Sequence, residues 1–286
     1  MEAGRSRLPA AAGALRRGAK ATITARSVPP RLWIENMGGM ASLALRALVE
    51  LVSPGLRWRD ELIRQYVFSL RVTLGPATVV AFVIGFSTIG IQGGSLASAF
   101  GAIDRISAVA PVAFLRELGP ALTTAIVAGT IGATITAELG ARKIRQELEA
   151  LEVLGINPIR NLVLPRIVAL ALMMPVLNLL TFWAGVFGAY LATTTLYGAT
   201  SAAFWDQLFL LTNYIDLWSS VIKVVLFGII IGVIASYKGL GVGGGTEGVG
   251  RAVNESVVAC LVAIFMISVV YTSIFLALFP EVNLGG

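Results

Sequence analysis

The residues best suited to chemistry are a few charged side chains inside long apolar runs. Arg116 and Glu117 are adjacent near the start of one run, and Lys223 follows Asp216 in another. Ionisable groups at membrane depth are costly unless they pair or face a water-lined cavity, so they mark candidate functional positions. Lys223 could pair with Asp216 or attract an anionic head group. Arg116 could instead extend its charged end to the membrane surface.

Composition counts against several kinds of chemistry. The chain has no histidine, which is the commonest metal ligand and the commonest general base at neutral pH. Its one cysteine, Cys260, lies in an apolar run, where we interpret it as a packing residue. The segment 243–248 fits G-x-G-x-x-G, but it follows a predicted membrane helix rather than a strand, so we predict a loop. We expect no catalytic residue, no metal and no cofactor in this chain.

Composition instead indicates a membrane protein. Of the 286 residues, 56% are hydrophobic and 13% are charged, and the mean hydropathy is +0.82. A helix needs about 20 apolar residues to cross the hydrocarbon core, and several uncharged windows are that long. The net charge is +6, but 11 of the 22 basic residues precede residue 66 and do not alternate with aromatic residues. We therefore expect no nucleic-acid partner.

The apolar runs predict the elements that position these side chains. We predict an all-α membrane protein with five transmembrane helices, preceded by an N-terminal interfacial amphipathic helix and with a surface helix between spans two and three. Residues 1–30 are predicted to be a disordered, basic cytoplasmic tail, and 31–286 a single domain. The interfacial helix is predicted at 33–52, the spans at 66–90, 112–139, 167–195, 216–237 and 256–279, and the surface helix at 140–156.

The distribution of Lys and Arg predicts the orientation of the spans. Five basic residues lie in 140–166, whereas 196–222 and the C-terminal tail have none. Basic residues concentrate on the cytoplasmic side of membrane proteins. We therefore expect a cytoplasmic N-terminus and an extracytoplasmic C-terminus.

The predicted surface helix has an apolar stripe. Ile144, Leu148, Leu151 and Leu154 share one face of it. The chain lacks a P-loop, so a pump driven by ATP would need an ATPase on another chain, and this helix could be its handle. An ordinary interfacial helix fits the same pattern. Glu138, at the end of span two, is interpreted as a cap or loop contact.

Small residues predict close packing between the spans. They are Gly129, Gly132, Gly185, Gly188, Gly228 and Gly232.

Three motifs carry a family resemblance. They are FLRELGP at 114–120, TAELG at 136–140 and EALEVLGINP at 149–158. In this order and spacing the chain resembles the MlaE/YrbE permeases, over about residues 33–279. The resemblance implies a permease dimer in the plasma (inner) membrane and two cytoplasmic ATPase subunits that hold ATP and Mg. It also implies Mce-domain proteins on the outer side, which exchange lipid with the permease.

The resemblance also implies roles for particular residues. The segment from Arg145 to Leu154 is similar to the coupling helix that docks on the ATPase, with Arg145, Glu147, Leu148, Glu149, Leu151, Glu152 and Leu154 as its contact residues. The implied lipid pathway contains Arg116, Glu117, Lys223, Leu261, Phe265 and Tyr271. Thr130 stands where family members often have Arg. The Arg-rich N-terminus resembles the actinobacterial YrbE branch, in which two different permeases pair, so a heterodimer is expected.

Two other functions compete with this interpretation. An intramembrane lipid-modifying enzyme would need acidic or histidine side chains clustered at one membrane face. Asp104, Glu117 and Glu138 are too scattered in the predicted topology for that. An ion-driven secondary transporter is typically built from two repeated halves, and five spans do not divide equally.

Overall fold

The structure, a computed structural model, describes residues 30–52, 58–101 and 106–279. The chain divides into two compact units, 1–39 and 40–286. The described part of the smaller unit is the beginning of helix α1, Pro30–Val52. The predicted tail, 1–30, lies outside the described residues apart from Pro30. The larger unit contains all the elements that follow.

Five helices of the larger unit are long and apolar enough to cross a membrane. They are α2 (Arg59–Ala99), α3 (Ala110–Ile144), α5 (Ile159–Tyr197), α7 (Tyr214–Leu240) and α8 (Gly245–Leu278). Two shorter helices lie between them, α4 (Glu147–Val153) before α5 and α6 (Ser201–Leu211) before α7. No strand occurs in the described ranges. The predicted all-α fold, with five spans after an N-terminal helix, is confirmed.

The glycine-rich segment before the last span is mostly helical, which corrects the predicted loop at 243–248. Helix α8 begins at Gly245. Gly244 and Gly245 have φ angles of 82° and 71°, a left-handed conformation that glycine adopts at little cost. A Cβ on Gly248 would overlap the carbonyl oxygen of Gly243. The glycines therefore make a tight turn and a close backbone approach.

The predicted surface helix at 140–156 is divided in the structure. Helix α3 continues to Ile144, and α4 occupies only Glu147–Val153. Between them Gln146 has a φ angle of 58°, and after α4 Gly155 has a φ angle of 74°. The two left-handed residues change the chain direction on both sides of α4. A sequence periodicity of 3.6 does not reveal such a break, because the apolar pattern continues through it.

Glycines allow α5 to approach its neighbours closely. A Cβ on Gly185 would overlap the ring of Phe114, and one on Gly188 would overlap the backbone of Phe82. Small residues at helix crossings permit such contacts between backbones. The predicted packing role is confirmed for Gly132, Gly185, Gly188, Gly228 and Gly232. A Cβ on Gly129 would meet nothing within 4 Å, so Gly129 makes no such contact with the described residues of this chain.

Helix α8 is the least buried span. In the most apolar window of each helix, 50% of the residues of α3, α5 and α7 are buried, against 17% in α8. Its buried residues Ser256, Cys260, Ile264 and Ser268 recur every fourth position and form one face. The exposed apolar residues of α8 include Val258, Val262, Phe265, Met266, Val269, Val270, Ile274 and Leu278. This apolar face requires lipid or another protein as its surroundings.

Candidate functional site

A π-helical turn in α3 positions Arg116 and Glu117. The turn covers Phe114–Leu118 and is followed by Gly119 and Pro120. Adjacent side chains in an α-helix diverge by about 100°. The wider π turn reduces this divergence, so both side chains reach α7. Single π turns inside α-helices occur frequently at functional sites.

Arg116 pairs with Asp216, at the beginning of α7. The guanidinium donates from Nε to Oδ1 at 2.9 Å and from a terminal nitrogen to Oδ2 at 3.2 Å. Such two-point pairing fixes orientation as well as distance. The side chain of Asp216 is 1% exposed and that of Arg116 is 20% exposed. The position of Asp216 in the first turn of a helix also favours its negative charge.

Lys223 is the buried cation of the second pair. Its Nζ lies 3.0 Å from Oε1 of Glu117 and donates to the backbone oxygen of Arg116 at 2.9 Å and to Oγ1 of Thr272 at 3.0 Å. The three donors of the ammonium group are therefore all used. The side chain of Lys223 is 2% exposed, whereas that of Glu117 is 48% exposed. One charge of the pair is thus enclosed and the other reaches the surface.

Helix α8 contributes hydroxyl groups to the same pairs. Ser268 donates to Oε2 of Glu117 at 3.0 Å, and the hydroxyl of Thr272 donates to Oε1. The two residues are four positions apart and share a helix face. One turn away, the hydroxyl of Tyr271 donates to the backbone oxygen of Ser219 at 2.9 Å. We call Arg116, Glu117, Asp216, Lys223, Ser268 and Thr272 the charge cluster.

The contacts within the charge cluster correct one ion pair that the sequence suggested, that of Asp216 with Lys223. Asp216 binds Arg116, and Lys223 binds Glu117, so Asp216 and Lys223 do not pair with each other. Seven residues of α-helix rise about 10 Å, which is too far for direct contact along one helix. Neither Ser268 nor Thr272 was identified from the sequence. Their spacing of four in the mostly apolar second half of the helix was the available signal.

The three α8 residues suggested for the lipid pathway lie in different surroundings. Tyr271 adjoins the charge cluster, with its ring centroid 5.9 Å from Nζ of Lys223. Leu261 is partly buried and packs against the main hydrophobic core. Phe265 is 55% exposed on the apolar face of α8. Their role in a lipid pathway remains a prediction.

The residues suggested for ATPase coupling lie in the connecting segment, which we define as residues 145–158. Lys143 pairs with Glu149 at 2.9 Å, and Arg145 pairs with Glu147 at 2.7 Å. Leu148 is buried and Leu151 is half-buried. Leu154 is 72% exposed and follows the end of α4 at Val153, so the predicted apolar stripe on one helix face does not extend to it. Val153 is 88% exposed.

A cavity of about 600 Å³ lies between the connecting segment and α1. Its apolar lining includes Leu45, Val49, Leu148, Ile159 and Leu240, and its polar lining includes Arg46, Glu50, Lys143, Glu149, Glu152 and Asn157. The side-chain amide of Asn157 donates to Glu50 at 2.8 Å, which fixes the end of the connecting segment to α1.

Glu138 has a different partner from the cap or loop contact that was predicted. One of its carboxylate oxygens lies 2.8 Å from a terminal nitrogen of Arg166 in α5. Arg166 is 1% exposed. In the ranges 30–52, 58–101 and 106–279, no group of three His, Cys, Asp or Glu residues could hold a metal ion.

Comparison with known proteins identifies relatives over most of the chain. Residues 62–274 match the family Permease MlaE. A probable ABC transporter permease protein of Rickettsia typhi is 32% identical over 240 residues, which cover 84% of this chain and 92% of the relative. One of Synechocystis is 35% identical over 167 residues, covering 58% of this chain and 64% of the relative.

A plant relative is also similar. The chloroplast protein Trigalactosyldiacylglycerol 1 of Arabidopsis thaliana is 32% identical over 242 residues, covering 82% of this chain and 66% of the relative. The charge cluster, α4 and all but the ends of the helical bundle fall inside the matched region. From this match and the five apolar helices, we conclude that the chain belongs to the MlaE family and is the membrane-spanning permease subunit of a transporter.

Proposed function

We propose that this permease moves long-chain lipids, driven by ATP hydrolysis on separate subunits. The observation that carries the proposal is the position of the charge cluster. It contacts one face of α8, and the opposite face of α8 is apolar and exposed. A polar anchor next to an apolar surface suits an amphiphile with a head group and long tails. Expected substrates are fatty acids, phospholipids or sterols, because an apolar pathway has little with which to grip a polar solute.

The name of one relative supports a lipid substrate. The chloroplast relative is named after trigalactosyldiacylglycerol, a glycolipid. The residues that we assign to the lipid pathway are Arg116, Glu117, Lys223, Phe265 and Tyr271, with Leu261 behind them. In this assignment Glu117 and Arg116, the more exposed charged members of the charge cluster, lie nearest the head group, Lys223 holds Glu117 in place, and the apolar face of α8 contacts the tails.

The exposed face of α8 is the proposed contact with a second permease. Helix α8 is the least buried of the five spans and carries exposed large apolar side chains from Val258 to Leu278. A second YrbE-type chain that packs there would enclose lipid between the two copies of α8. We propose a heterodimer because the Arg-rich N-terminus resembles the branch in which two different permeases pair.

The connecting segment is the proposed dock for the ATPase. Val153 and Leu154 are 88% and 72% exposed, and the charged residues that precede them, Glu147, Glu149 and Glu152, exclude this segment from hydrocarbon. Apolar side chains that water would otherwise surround favour a protein partner. One of the two ATPase subunits, with ATP and Mg, would bind here, and the other would bind the second permease.

The proposed orientation follows from the basic residues. The connecting segment and the N-terminus face the cytoplasm, and the C-terminus faces the outside of the plasma (inner) membrane. Mce-domain proteins would then receive or deliver lipid at the outer end of α8, near the charge cluster.

Affinity purification from the native membrane in mild detergent tests the proposal. Mass spectrometry should identify a P-loop ATPase, Mce-domain proteins, a second permease and a bound lipid. Recovery of this chain alone from an intact extract would contradict the proposal and support the enzyme or secondary-transporter alternative.

A further inference from the structure

Arg166 is the largest fully buried side chain in the described ranges. It lies in α5, and it reaches back to Glu138 in α3 at 2.8 Å and to the backbone oxygen of Leu162 at 2.6 Å. Its Nε has no hydrogen-bond partner within the described ranges. Glu61, near the beginning of α2, adds a second carboxylate within electrostatic range.

A buried arginine with an unpaired nitrogen is a poor way to stabilise a helix bundle. The desolvation of a guanidinium offsets most of the attraction to its carboxylate, and apolar residues of similar volume commonly stabilise as well or better. What such a pair provides is a fixed geometry between the elements that it joins. The position of the Glu138–Arg166 pair is therefore the informative feature.

The Glu138–Arg166 pair joins α3 directly to α5, on either side of the segment that connects them. Between the two paired residues, α3 continues to Ile144, the connecting segment follows, and α5 begins at Ile159. This stretch contains two left-handed positions, Gln146 and Gly155, where the chain changes direction. The backbone hydrogen bonds there are local, from Gln146 to Lys143 and from Gly155 to Glu152, and they do not join α4 to the spans. If α3 and α5 could move independently of each other here, a displacement of α4 would bend the chain at these two positions and would not reach the spans.

The other ion pairs near α4 are too exposed to hold it. Lys143 and Glu149 are 36% and 57% exposed, and Arg145 and Glu147 are 64% and 41% exposed. Exposed pairs contribute little, because water and salt screen them. In the pair Glu138–Arg166 the side chain of Arg166 is 1% exposed and that of Glu138 is 44% exposed, so this pair, unlike those two, has one fully enclosed charge.

We infer that Arg166 and Glu138 are positioning residues that make residues 139–165 move as one body with the inner ends of α3 and α5. This inference rests on the proposed function, because it assigns the route by which an ATPase bound at α4 acts on the spans. Movement of the ATPase would thereby reach the helix that carries Arg116 and Glu117 instead of ending at the bends beside α4.

Hydrogen exchange of the purified chain tests the mechanical part without any ATPase. Arg166→Met and Glu138→Gln should accelerate amide exchange in α4 by about tenfold or more, as expected for loss of a charge-assisted hydrogen bond. Lys238→Met is the matched control. It breaks the pair with Glu255 at 2.8 Å, which joins α7 to α8 near the same end, and it should leave α4 unchanged. Unchanged exchange in both test variants would overturn the inference.

Coupling tests the functional part in the complex with its co-purified ATPase, reconstituted with fluorescent phospholipid. Both variants should retain wild-type ATP hydrolysis, while lipid transferred per ATP falls on the order of tenfold. The double variant should be no worse than either single one, because the two residues act through one contact. Wild-type coupling in a folded Glu138→Gln complex would overturn the inference. Absence of an ATPase from the wild-type preparation would instead contradict the proposed function, and the exchange experiment would still decide on the ion pair.

Discussion

Lys223→Met removes the buried cation of the charge cluster and keeps a side chain of similar length. Nζ loses its contacts with Glu117, Thr272 and the backbone oxygen of Arg116, at distances of 2.9 to 3.0 Å. Glu117 keeps its hydroxyl donors from α8 but loses the opposite charge. We expect lower stability and a looser attachment of α8 to α7.

The burial of the two partners sets the size of the effect. Removal of one partner from a fully buried ion pair costs about 3–5 kcal/mol. Lys223 is 2% exposed, but Glu117 is 48% exposed and its carboxylate can reach polar surroundings. The expected cost for Lys223→Met is therefore below that range, at about 2–3 kcal/mol. Adding Glu117→Gln removes the stranded charge, so the double variant should recover about 1–2 kcal/mol relative to the sum of the single variants.

Equilibrium unfolding in mixed micelles, with increasing SDS and tryptophan fluorescence as the signal, measures these free energies. Lys238→Met is the control, because Lys238 is 20% exposed and its partner Glu255 is 54% exposed. Breaking an exposed pair of this kind should lower the free energy of unfolding by about 0–1 kcal/mol. The reasoning is refuted if Lys223→Met costs no more than the control, or if the effects at Lys223 and Glu117 simply add.

Three further predictions use other parts of the molecule. Gly185→Ala should cost about 3 kcal/mol or more of unfolding free energy in the same assay, because its Cβ would overlap the ring of Phe114. Gly129→Ala, in open space, should stay within about 1 kcal/mol of wild type. Equal costs for the two variants would contradict the packing described for Gly185. Val153→Glu should leave the unfolding free energy within about 0.5 kcal/mol of wild type and abolish co-purification of the ATPase, so full recovery of the ATPase would count against docking at α4. Cys260 is 0% exposed and should react with maleimide about 100-fold more slowly in the folded protein than in SDS, and equal rates would show that α8 is not packed as described.

The five spans could be predicted because hydrophobicity alone determines them. Each crossing helix needs a window of apolar residues, and windows such as 256–279 have no charge until Glu281. Helix ends were harder to place. Gly245–Gly250 have low helix propensity, yet they form the first turns of α8, where the valines around them pack against Gly140 of α3. Tertiary packing outweighed local propensity at that position.

The charged residues of the candidate site could be identified, but their pairing could not. Arg116, Glu117 and Lys223 stand out as ionisable groups in apolar runs. Which of them meet depends on the π turn at Phe114–Leu118 and on the distance between α3 and α7. Both features arise from contacts between distant segments, so no local pattern encodes them. Glu138 was assigned to a cap or loop contact for the same reason. Its partner Arg166 lies 28 positions along the chain, beyond the reach of a local pattern.

The most direct test of the proposed function is ATP-dependent lipid movement by the purified complex in proteoliposomes. A fluorescent phospholipid in the donor membrane reports transfer to or from the Mce-domain proteins. The account predicts transfer that requires hydrolysable ATP and that Lys223→Met reduces without abolishing ATP hydrolysis. Transfer at the same rate without ATP, or hydrolysis with no lipid movement in the wild-type complex, would contradict it.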